Sequence, residues 1–193
     1  MKVIQTEIPG VVIIEPKVFG DARGWFMESW QVERYAGVGV PERMVQDNQA
    51  YSGHGILRGL HCQWPHAQGK LVQVLSGEVF DVAVDIRRGS PWFGRWVGVT
   101  LSGENRRQFW VPPGFAHAYV VTGADAVFAY KCTDFYHPET EFSVLWNDPD
   151  IGIAWPLDGE PLLSDKDRNA ALLRDIPVER LPPYEEVRHG LDR

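Results

Sequence analysis

The alternation of apolar and polar positions is clearest in the middle of the chain. Short runs rich in β-branched and aromatic residues are separated there by Gly, Pro, Ser and Asn at short intervals, a pattern typical of β-strands. The predicted strands cover residues 71–75, 79–86, 96–101, 108–111, 118–121 and 127–133. Because no helical pattern separates these runs, the sequence predicts an all-β sandwich or barrel, with a jelly roll as the first choice.

Short helices are predicted at the edges of this β region. One covers residues 30–35, and the other covers residues 165–173, with Ser164 as the expected N-cap and a break at Ile176-Pro177. No internal repeat or linker divides the chain. We therefore expect a single domain at residues 1–177, followed by a tail rich in Pro and charged residues at 178–193.

The composition narrows the classes of function. With 193 residues and 44% hydrophobic content, the chain suits one folded domain with a sizeable core. The net charge of −7 argues against a nucleic-acid-binding protein, because phosphate contacts need a basic surface. The apolar run at 11–14 is too short for a signal peptide, and no stretch approaches a membrane span. We expect a cytoplasmic protein with no nucleic-acid or membrane partner. Cys62 and Cys132 are predicted to be buried, reduced thiols.

Two histidine motifs resemble the signature of the cupin fold. Residues 112–117 match P-x-G-x-x-H, its second half, and end at His117. The first half normally supplies H-x-H and a later glutamate, but here Gln63 follows His61 where a second imidazole would stand, and Glu78 comes later. A transition-metal site needs several convergent ligands, so the missing histidine argues against a metal. The other four histidines lie in polar, turn-like segments: His54, His66, His137 and His189.

His61 is the leading candidate for chemistry in this region. Strict alternation places His61 and Gln63 on one face of a strand and Arg58 on the other, unless Gly59 forms a bulge that brings Arg58 and His61 together. A buried histidine without a functional role is the alternative. Tyr130 shares a predicted strand face with two other apolar side chains, and a core role is as compatible with that position as a catalytic one.

Nine sequence blocks together carry a family resemblance. They occupy residues 19–29, 45–48, 57–61, 67–72, 77–87, 113–117, 130–131, 145–149 and 163–167. In this order and spacing the chain resembles the dTDP-4-dehydrorhamnose 3,5-epimerase family. The resemblance implies a cofactor-free, metal-free cupin jelly roll that acts as a homodimer with exchanged N-terminal segments. It also implies a dTDP-linked 4-keto-6-deoxy sugar as substrate, inverted at C3 and C5.

The resemblance also implies roles for individual residues. It makes His61 the base, Tyr130 the proton donor and Asp167 the carboxylate partner of His61. It implies substrate contacts at Arg23, Glu28, Gln46, Asp47, Asn48, Arg58, Lys70, His117, Glu141 and Lys166. Because the N-terminal segments exchange, Arg23 and Glu28 are expected to serve the neighbouring subunit.

The chemistry of a keto-sugar explains why such residues are needed. A base next to the ketone produces an enolate, and inversion requires a proton donor on the opposite face. A cation should stabilise the enolate oxygen, and Lys70 is the best candidate, followed by Arg58. The diphosphate calls for guanidinium and ammonium groups, such as Arg23, Arg58 and Lys166.

The carboxylate partner of His61 and the reaction itself leave alternatives. The spacing Ser164-x-x-Asp167 is also that of a helix capping box, and Asp81 and Asp85 are rival partners for His61. Only the resemblance favours Asp167. Alternative functions are an epimerase of one carbon of a related keto-sugar, a metal-dependent cupin oxygenase or isomerase, and a non-catalytic sugar-nucleotide binder.

Overall fold

A computed structural model describes residues 1–41 and 43–185. Eleven β-strands dominate this part of the chain, and two short α-helices lie at its edges. The strands are β1 (Lys2–Gln5), β2 (Val12–Glu15), β3 (Val18–Asp21), β4 (Gly24–Met27), β5 (Gln46–Gly53), β6 (Leu57–Gln63), β7 (Lys70–Asp85), β8 (Trp96–Ser102), β9 (Gln108–Val111), β10 (Phe115–Cys132) and β11 (Glu141–Ser143). The helices are α1 (Val32–Ala36) and α2 (Asp165–Arg168). The predicted all-β class is confirmed.

The long strands β7 and β10 join the two layers of the fold. They pair antiparallel along most of their length, from Phe115 opposite Asp85 to Cys132 opposite Lys70. The two halves of β7 pair with β9 and β8, and the two halves of β10 pair with β6 and β5. The strand order β1-β2-β9-β7-β10-β6-β11 is open at both ends. The sheet therefore bends into a jelly-roll sandwich without closing into a ring.

Each of these long strands was expected to be two. The predicted strands 71–75 and 79–86 lie in the single strand β7 except for residue 86, and 118–121 and 127–133 lie in β10 except for residue 133. The turn residues between them mark bends inside a continuous strand. At Gly77, where φ is +79°, a Cβ atom would lie 1.9 Å from the carbonyl oxygen of Asp125 on β10. The glycine therefore allows two bent strands to approach closely, which a local turn pattern does not distinguish from a strand end.

Apolar side chains fill the space between the layers and cover their outer faces. The cluster between the layers, called here the interior cluster, includes Val74, Leu101, Phe109, Val121 and Phe128. A second cluster lies where α1 packs on β2 and β9, and includes Ile14, Tyr35 and Trp110. A third lies where the C-terminal segment packs on β6, β10 and β11, and includes Leu60, Phe142 and Leu173.

The peripheral segments agree in part with the predictions. The first predicted helix corresponds to α1, whereas the second ends at Arg168 and is followed by a 3-10 turn at Leu173–Asp175. In the predicted tail, Leu181 is buried in the third cluster and the Tyr184 ring lies near the Arg87 guanidinium. Residues 186–193, which include His189, lie outside the described residues. None of the helices described is long and apolar enough to cross a membrane.

Candidate active site

Polar side chains point inward beside the interior cluster. Alternation along β10 places His117 on the same face as Tyr119, a member of that cluster. Along β7, Lys70 likewise shares the face of Val72. His61 on β6 lies directly opposite His117 in antiparallel register, so both rings are on the same face of the sheet. The fold therefore collects ionisable groups from three neighbouring strands.

A bulge at Gly59 brings Arg58 and His61 to one cavity. His61 pairs with His117 and Arg58 pairs with Tyr119, so two residues of β6 oppose one residue of β10. At Gly59 φ is +113°, and a Cβ atom there would lie 2.4 Å from the carbonyl oxygen of His117. Arg58 and His61 both line a cavity of about 340 Å³. The predicted bulge is confirmed, and this position requires glycine.

Asp167 lies behind His61 on the buried side of the same cavity. Its Oδ1 is 2.6 Å from His61 Nε2, and its Oδ2 accepts a longer bond from the Gly59 N–H at 3.4 Å. Burial raises the pKa of the Asp167 carboxyl, but the hydrogen bond and charge of His61 outweigh burial and hold this pKa below its ordinary value of 3.8. An ionised carboxylate is therefore held against one nitrogen of the His61 ring.

The spacing from Ser164 to Asp167 serves helix capping and the His61 contact at the same time. Ser164 Oγ accepts a hydrogen bond from the backbone N–H of Asp167 at 3.1 Å, which confirms Ser164 as the N-cap of α2. The Asp167 carboxylate turns instead toward His61. The two interpretations of this spacing are not exclusive, because the cap uses the main chain and the pair uses the side chain.

The two rival carboxylates bind other groups. Asp81 lies 2.8 and 3.0 Å from Nε2 of His117 through its two oxygens, and burial raises the pKa of Asp81. Asp85 accepts hydrogen bonds from the Arg87 guanidinium at 2.9 and 2.6 Å and from the Ser90 hydroxyl at 2.6 Å. The alternative in which Asp81 or Asp85 supports His61 is therefore wrong.

Tyr130 lies on β10 and packs against the interior cluster. Burial raises the pKa of its hydroxyl to about 12, and the charge of Glu141 acts in the same direction, while that of Arg58 opposes it. The charges of Arg58 and Glu141 thus reach the Tyr130 hydroxyl, and Glu141 is also affected by His61. Tyr130 remains protonated throughout the neutral range.

Lys70 lies near both cysteine thiols. Cys62 and Cys132 are buried and unpaired, as predicted. Burial raises the pKa of Cys62 to about 12 and also raises that of Cys132, and in both cases the charge of Lys70 acts in the opposite direction. Within residues 1–41 and 43–185, no carboxylate forms a salt bridge with Lys70. Its ammonium group is therefore available to a ligand.

Glu141 connects β11 to α2 at the edge of this region. Lys166 Nζ donates to its carboxylate, and so does the Tyr136 hydroxyl at 3.0 Å. Burial raises the pKa of Glu141, but the bond from Lys166 and the charge of His61 make the net shift downward. Tyr136 was not among the predicted site residues. Tyr136 follows Phe135 in an otherwise polar connection. This pair of aromatic residues is the feature of the local sequence that could have indicated a functional position.

The predicted substrate contacts on β5 do not share one face. Gln46 and Asn48 face inward, where Gln46 Nε2 donates to Asn48 Oδ1 at 3.1 Å and Asn48 Nδ2 to Cys132 Sγ at 3.7 Å. Asp47 is exposed and pairs with Lys131 at 2.8 Å. Asp47 and Asn48 line a cavity of about 530 Å³ together with Tyr130, and His61 lines a different one.

Arg23 and Glu28 lie on the N-terminal hairpin β3–β4 and just after it. Arg23 pairs with Asp21 at 2.5 Å, and Glu28 pairs with Arg34 at 2.5 Å. Neither residue lines the cavity of His61 within one chain. Within one chain, neither residue is therefore placed to contact a ligand in that cavity.

The residues at the cupin-like positions have partners within the protein. Glu78 accepts a hydrogen bond from the Thr122 hydroxyl at 2.8 Å, and His117 is bonded to Asp81. In the described part of the chain, one group of three possible metal-binding side chains comes close together elsewhere. It consists of His66, Asp134 and His137. The sequence predicts that His66 and His137 lie in separate turns, and nothing in the local sequence of either indicates that the two turns meet.

Comparison with known proteins now identifies the family. The family model described as dTDP-4-dehydrorhamnose 3,5-epimerase matches residues 5–175. The chain belongs to this family. A 3,5-epimerase of this family from Pseudomonas aeruginosa is 54% identical over 176 residues, covering 91% of this chain and 97% of the relative. The Escherichia coli 3,5-epimerase is 48% identical over 178 residues, covering 91% of this chain and 96% of the relative.

Solved structures of 3,5-epimerases and of a related enzyme have the same fold. The enzyme from Legionella pneumophila, in complex with dTDP-4-keto-L-rhamnose, is 59% identical with a TM-score of 0.93, covering 95% of this chain and 98% of that one. A 3′-monoepimerase from Streptomyces bikiniensis, in complex with dTDP-quinovose, is 37% identical with a TM-score of 0.90, covering 97% and 96%. The predicted cupin-type fold is confirmed by these relatives.

Proposed function

We propose that the protein epimerises dTDP-4-dehydro-6-deoxy-D-glucose at C3 and C5 to give dTDP-4-dehydro-L-rhamnose. The observation that carries this proposal is His61 in a cavity, bonded at 2.6 Å to the buried carboxylate of Asp167. The 3,5-epimerases from Pseudomonas and Escherichia are 54% and 48% identical over 91% of the chain, which supports inversion of both carbons.

We assign the two nitrogens of His61 different tasks. With Nε2–H donated to Asp167, Nδ1 carries the lone pair that takes a proton from the carbon beside the ketone. The electron pair of that C–H bond moves onto the C4 ketone oxygen as an enolate. The Asp167 carboxylate stabilises the imidazolium that forms. His61 is thus the base, and Asp167 fixes its tautomer.

The enolate oxygen needs a cation in a fixed position. Lys70 points into the interior and has no salt-bridge partner in the described part of the chain, and Arg58 lies in the His61 cavity. Preorganised charge of this kind is usually the largest single contribution to catalysis. We propose that Lys70 stabilises the enolate oxygen and that Arg58 binds the diphosphate, together with Lys166 at the cavity edge.

Tyr130 supplies the proton for the opposite face. Because its pKa is raised to about 12, the hydroxyl is protonated at neutral pH and can donate to the enolate carbon. The new C–H bond then has inverted configuration. The phenolate regains a proton from solvent and the His61 imidazolium releases one to solvent, which restores both groups. A second round at the other carbon completes the reaction.

The proposed assembly is a cytoplasmic homodimer with exchanged N-terminal segments. The hairpin β3–β4 supports this assembly, because it exposes 53% of Phe19, 56% of Trp25 and 68% of Phe26 in the single chain. Large exposed aromatic surfaces commonly mark interaction sites. In such a dimer Arg23 and Glu28 would reach the neighbouring cavity.

Incubation with dTDP-4-dehydro-6-deoxy-D-glucose in heavy water tests the reaction. We expect deuterium at both C3 and C5 by NMR, together with formation of the L-sugar. Deuterium at one carbon alone would support the single-carbon alternative instead. Absence of exchange even at high protein concentration would contradict catalysis and leave a binding protein.

Tyr130→Phe separates proton removal from inversion. This variant should still exchange protons at the carbon that His61 attacks, but it should complete inversion much more slowly, by about 10²-fold or more. Isotope exchange and product formation are measured in the same reaction. Equal loss of both would argue against Tyr130 as the donor.

A further inference from the structure

Two histidines from separate connections meet outside the proposed catalytic groups. His66 lies between β6 and β7, and His137 lies between β10 and β11. Their rings stack with centroids 4.1 Å apart and planes 17° apart. Asp134 Oδ2 lies 3.7 Å from His66 Nδ1, and Glu139 Oε1 lies 3.1 Å from His137 Nδ1. Donor atoms of His66, Asp134 and His137 all lie within 4.8 Å of one another.

A buried amide holds the backbones of both histidines. Gln63 is 4% exposed, and its Nε2 donates to the carbonyl oxygens of His66 at 2.8 Å and Phe135 at 3.1 Å. Its Oε1 accepts from the backbone N–H of His137 at 2.9 Å. One side chain at the end of β6 therefore fixes the spacing between the two histidine-bearing connections.

Further contacts fix the carboxylate. Gln68 Nε2 donates to the backbone carbonyl oxygen of Asp134 at 2.9 Å. The backbone N–H of Phe135 donates to Asp134 Oδ1 at 2.8 Å, which leaves Oδ2 directed at His66. Gly69 and Thr133 exchange two hydrogen bonds immediately beside this group. The donor atoms are thus carried by a connected, hydrogen-bonded scaffold rather than by independent loops.

Two imidazoles and a carboxylate are the ligands that zinc prefers when thiolates are absent. A tetrahedral zinc ion with bonds of about 2.0–2.2 Å needs its ligand atoms roughly 3.3 Å apart. The donor atoms lie within 4.8 Å of one another, so binding requires the stacked rings of His66 and His137 to rotate toward the ion. We propose that His66, Asp134 and His137 bind a divalent transition-metal ion of the zinc class, with Glu139 or water as fourth ligand.

The proposed site acts as a clamp between two connections. The connection of His66 leads directly into Lys70, and that of His137 leads into Glu141. The ligands include none of the residues assigned to proton transfer. The ion therefore ties together the two connections without taking part in the epimerisation, and this inference stands or falls independently of the proposed reaction.

Calorimetric titration of the metal-free, untagged protein with zinc chloride tests the site. We expect one zinc per chain, and a rise in melting temperature of roughly 5–10 °C when free zinc is about 100 times the dissociation constant. His66→Asn and His137→Gln should each weaken binding by at least about 10-fold. Asn suits position 66 because it tolerates the positive φ of 71° found there.

His54→Gln is the matched control, since His54 is exposed in a turn away from the cluster. It should leave zinc affinity unchanged. Circular dichroism and the melting temperature in a chelator confirm that each variant is folded. Absence of saturable binding, or equal weakening by His54→Gln and His66→Asn, would overturn the proposal.

Discussion

Two histidine–carboxylate pairs lie side by side in the fold, on partner positions of neighbouring strands. His61 and His117 oppose each other across β6 and β10, yet their surroundings differ. The His61 side chain is 28% exposed and opens on a cavity, whereas that of His117 is 8% exposed. Both bond through Nε2 to an aspartate at 2.6 and 2.8 Å. The bond alone therefore does not distinguish a base from a packed histidine.

The carboxylates make the distinction. Burial raises the pKa of both, but in Asp167 the bonds from His61 and the Gly59 N–H outweigh burial, so that its pKa is lowered. In Asp81 burial dominates and the pKa is raised, despite the charges of His117 and Lys70. The carboxylate with the lowered pKa is the one behind the more exposed ring. Solvent access to the histidine ring and the charge of its carboxylate partner therefore identify the base together.

The largest expected effect comes from removing each ring in turn. His61→Asn should lower kcat by about 10³-fold or more, because the proton acceptor is lost, and it should also lower stability, because the buried Asp167 carboxylate loses its partner. His117→Asn should destabilise the protein by about 3 kcal/mol, because Asp81 is left in a buried site without its partner, but its effect on kcat should be small. Its remaining activity should show mainly a higher KM. Steady-state kinetics and urea unfolding of both variants make the test, and equal kcat losses would remove the distinction.

The bulge between the two pairs provides the next test. Gly59→Ala should destabilise the fold by about 3 kcal/mol or more, because φ is +113° and the new Cβ atom would overlap the carbonyl oxygen of His117. It should also lower kcat by displacing His61. Gly53→Ala on β5 is the control, since no atom lies within 4 Å of the Cβ position there. Similar unfolding free energies for the two variants would show that the bulge is dispensable.

Much of this arrangement could be predicted from local sequence. Strand periodicity predicted the all-β class, and Gly59 between Arg58 and His61 indicated a bulge, because each depends on a few neighbouring residues. The Ser164 cap was equally local. By contrast, the His61–Asp167 bond joins residues 106 positions apart, and spacing alone favoured capping at Asp167. The family resemblance was needed to select it.

The remaining misses have the same physical origin. Gly77 falls between two predicted strands, although it lies inside β7, where the close approach of β10 requires a glycine. The meeting of His66 and His137 depends on Gln63, a buried residue that bonds to both connections. Tyr136 reaches Glu141 from a polar connection without periodicity. Contacts that depend on how distant segments pack leave no local pattern.

Replacing each aspartate with asparagine tests which of the two carboxylates supports catalysis. Asp167→Asn should lower kcat by about 10²-fold with little change in KM, because a neutral amide does not stabilise the imidazolium of His61. Asp81→Asn should lower kcat by less than about 10-fold, since His117 does not transfer the proton. Kinetics at saturating substrate decide this. A larger kcat loss for Asp81→Asn would reverse the assignment of the two pairs.

The smallest expected effect is an opposite pH dependence of stability in the two asparagine variants. Because the folded-state pKa of Asp167 lies below 3.8, its contribution is fully present above that value and is lost as the pH falls through the folded pKa. Because the folded-state pKa of Asp81 is raised, its ionisation costs stability as the pH rises from 3.8 through the raised value. Urea unfolding from about pH 3 to about pH 7 measures both. The advantage of the wild type over Asp167→Asn should grow with pH, and its advantage over Asp81→Asn should shrink. Parallel pH profiles would mean that the two carboxylates share one ionisation state, and the distinction between the pairs would then depend on the exposure of His61 alone.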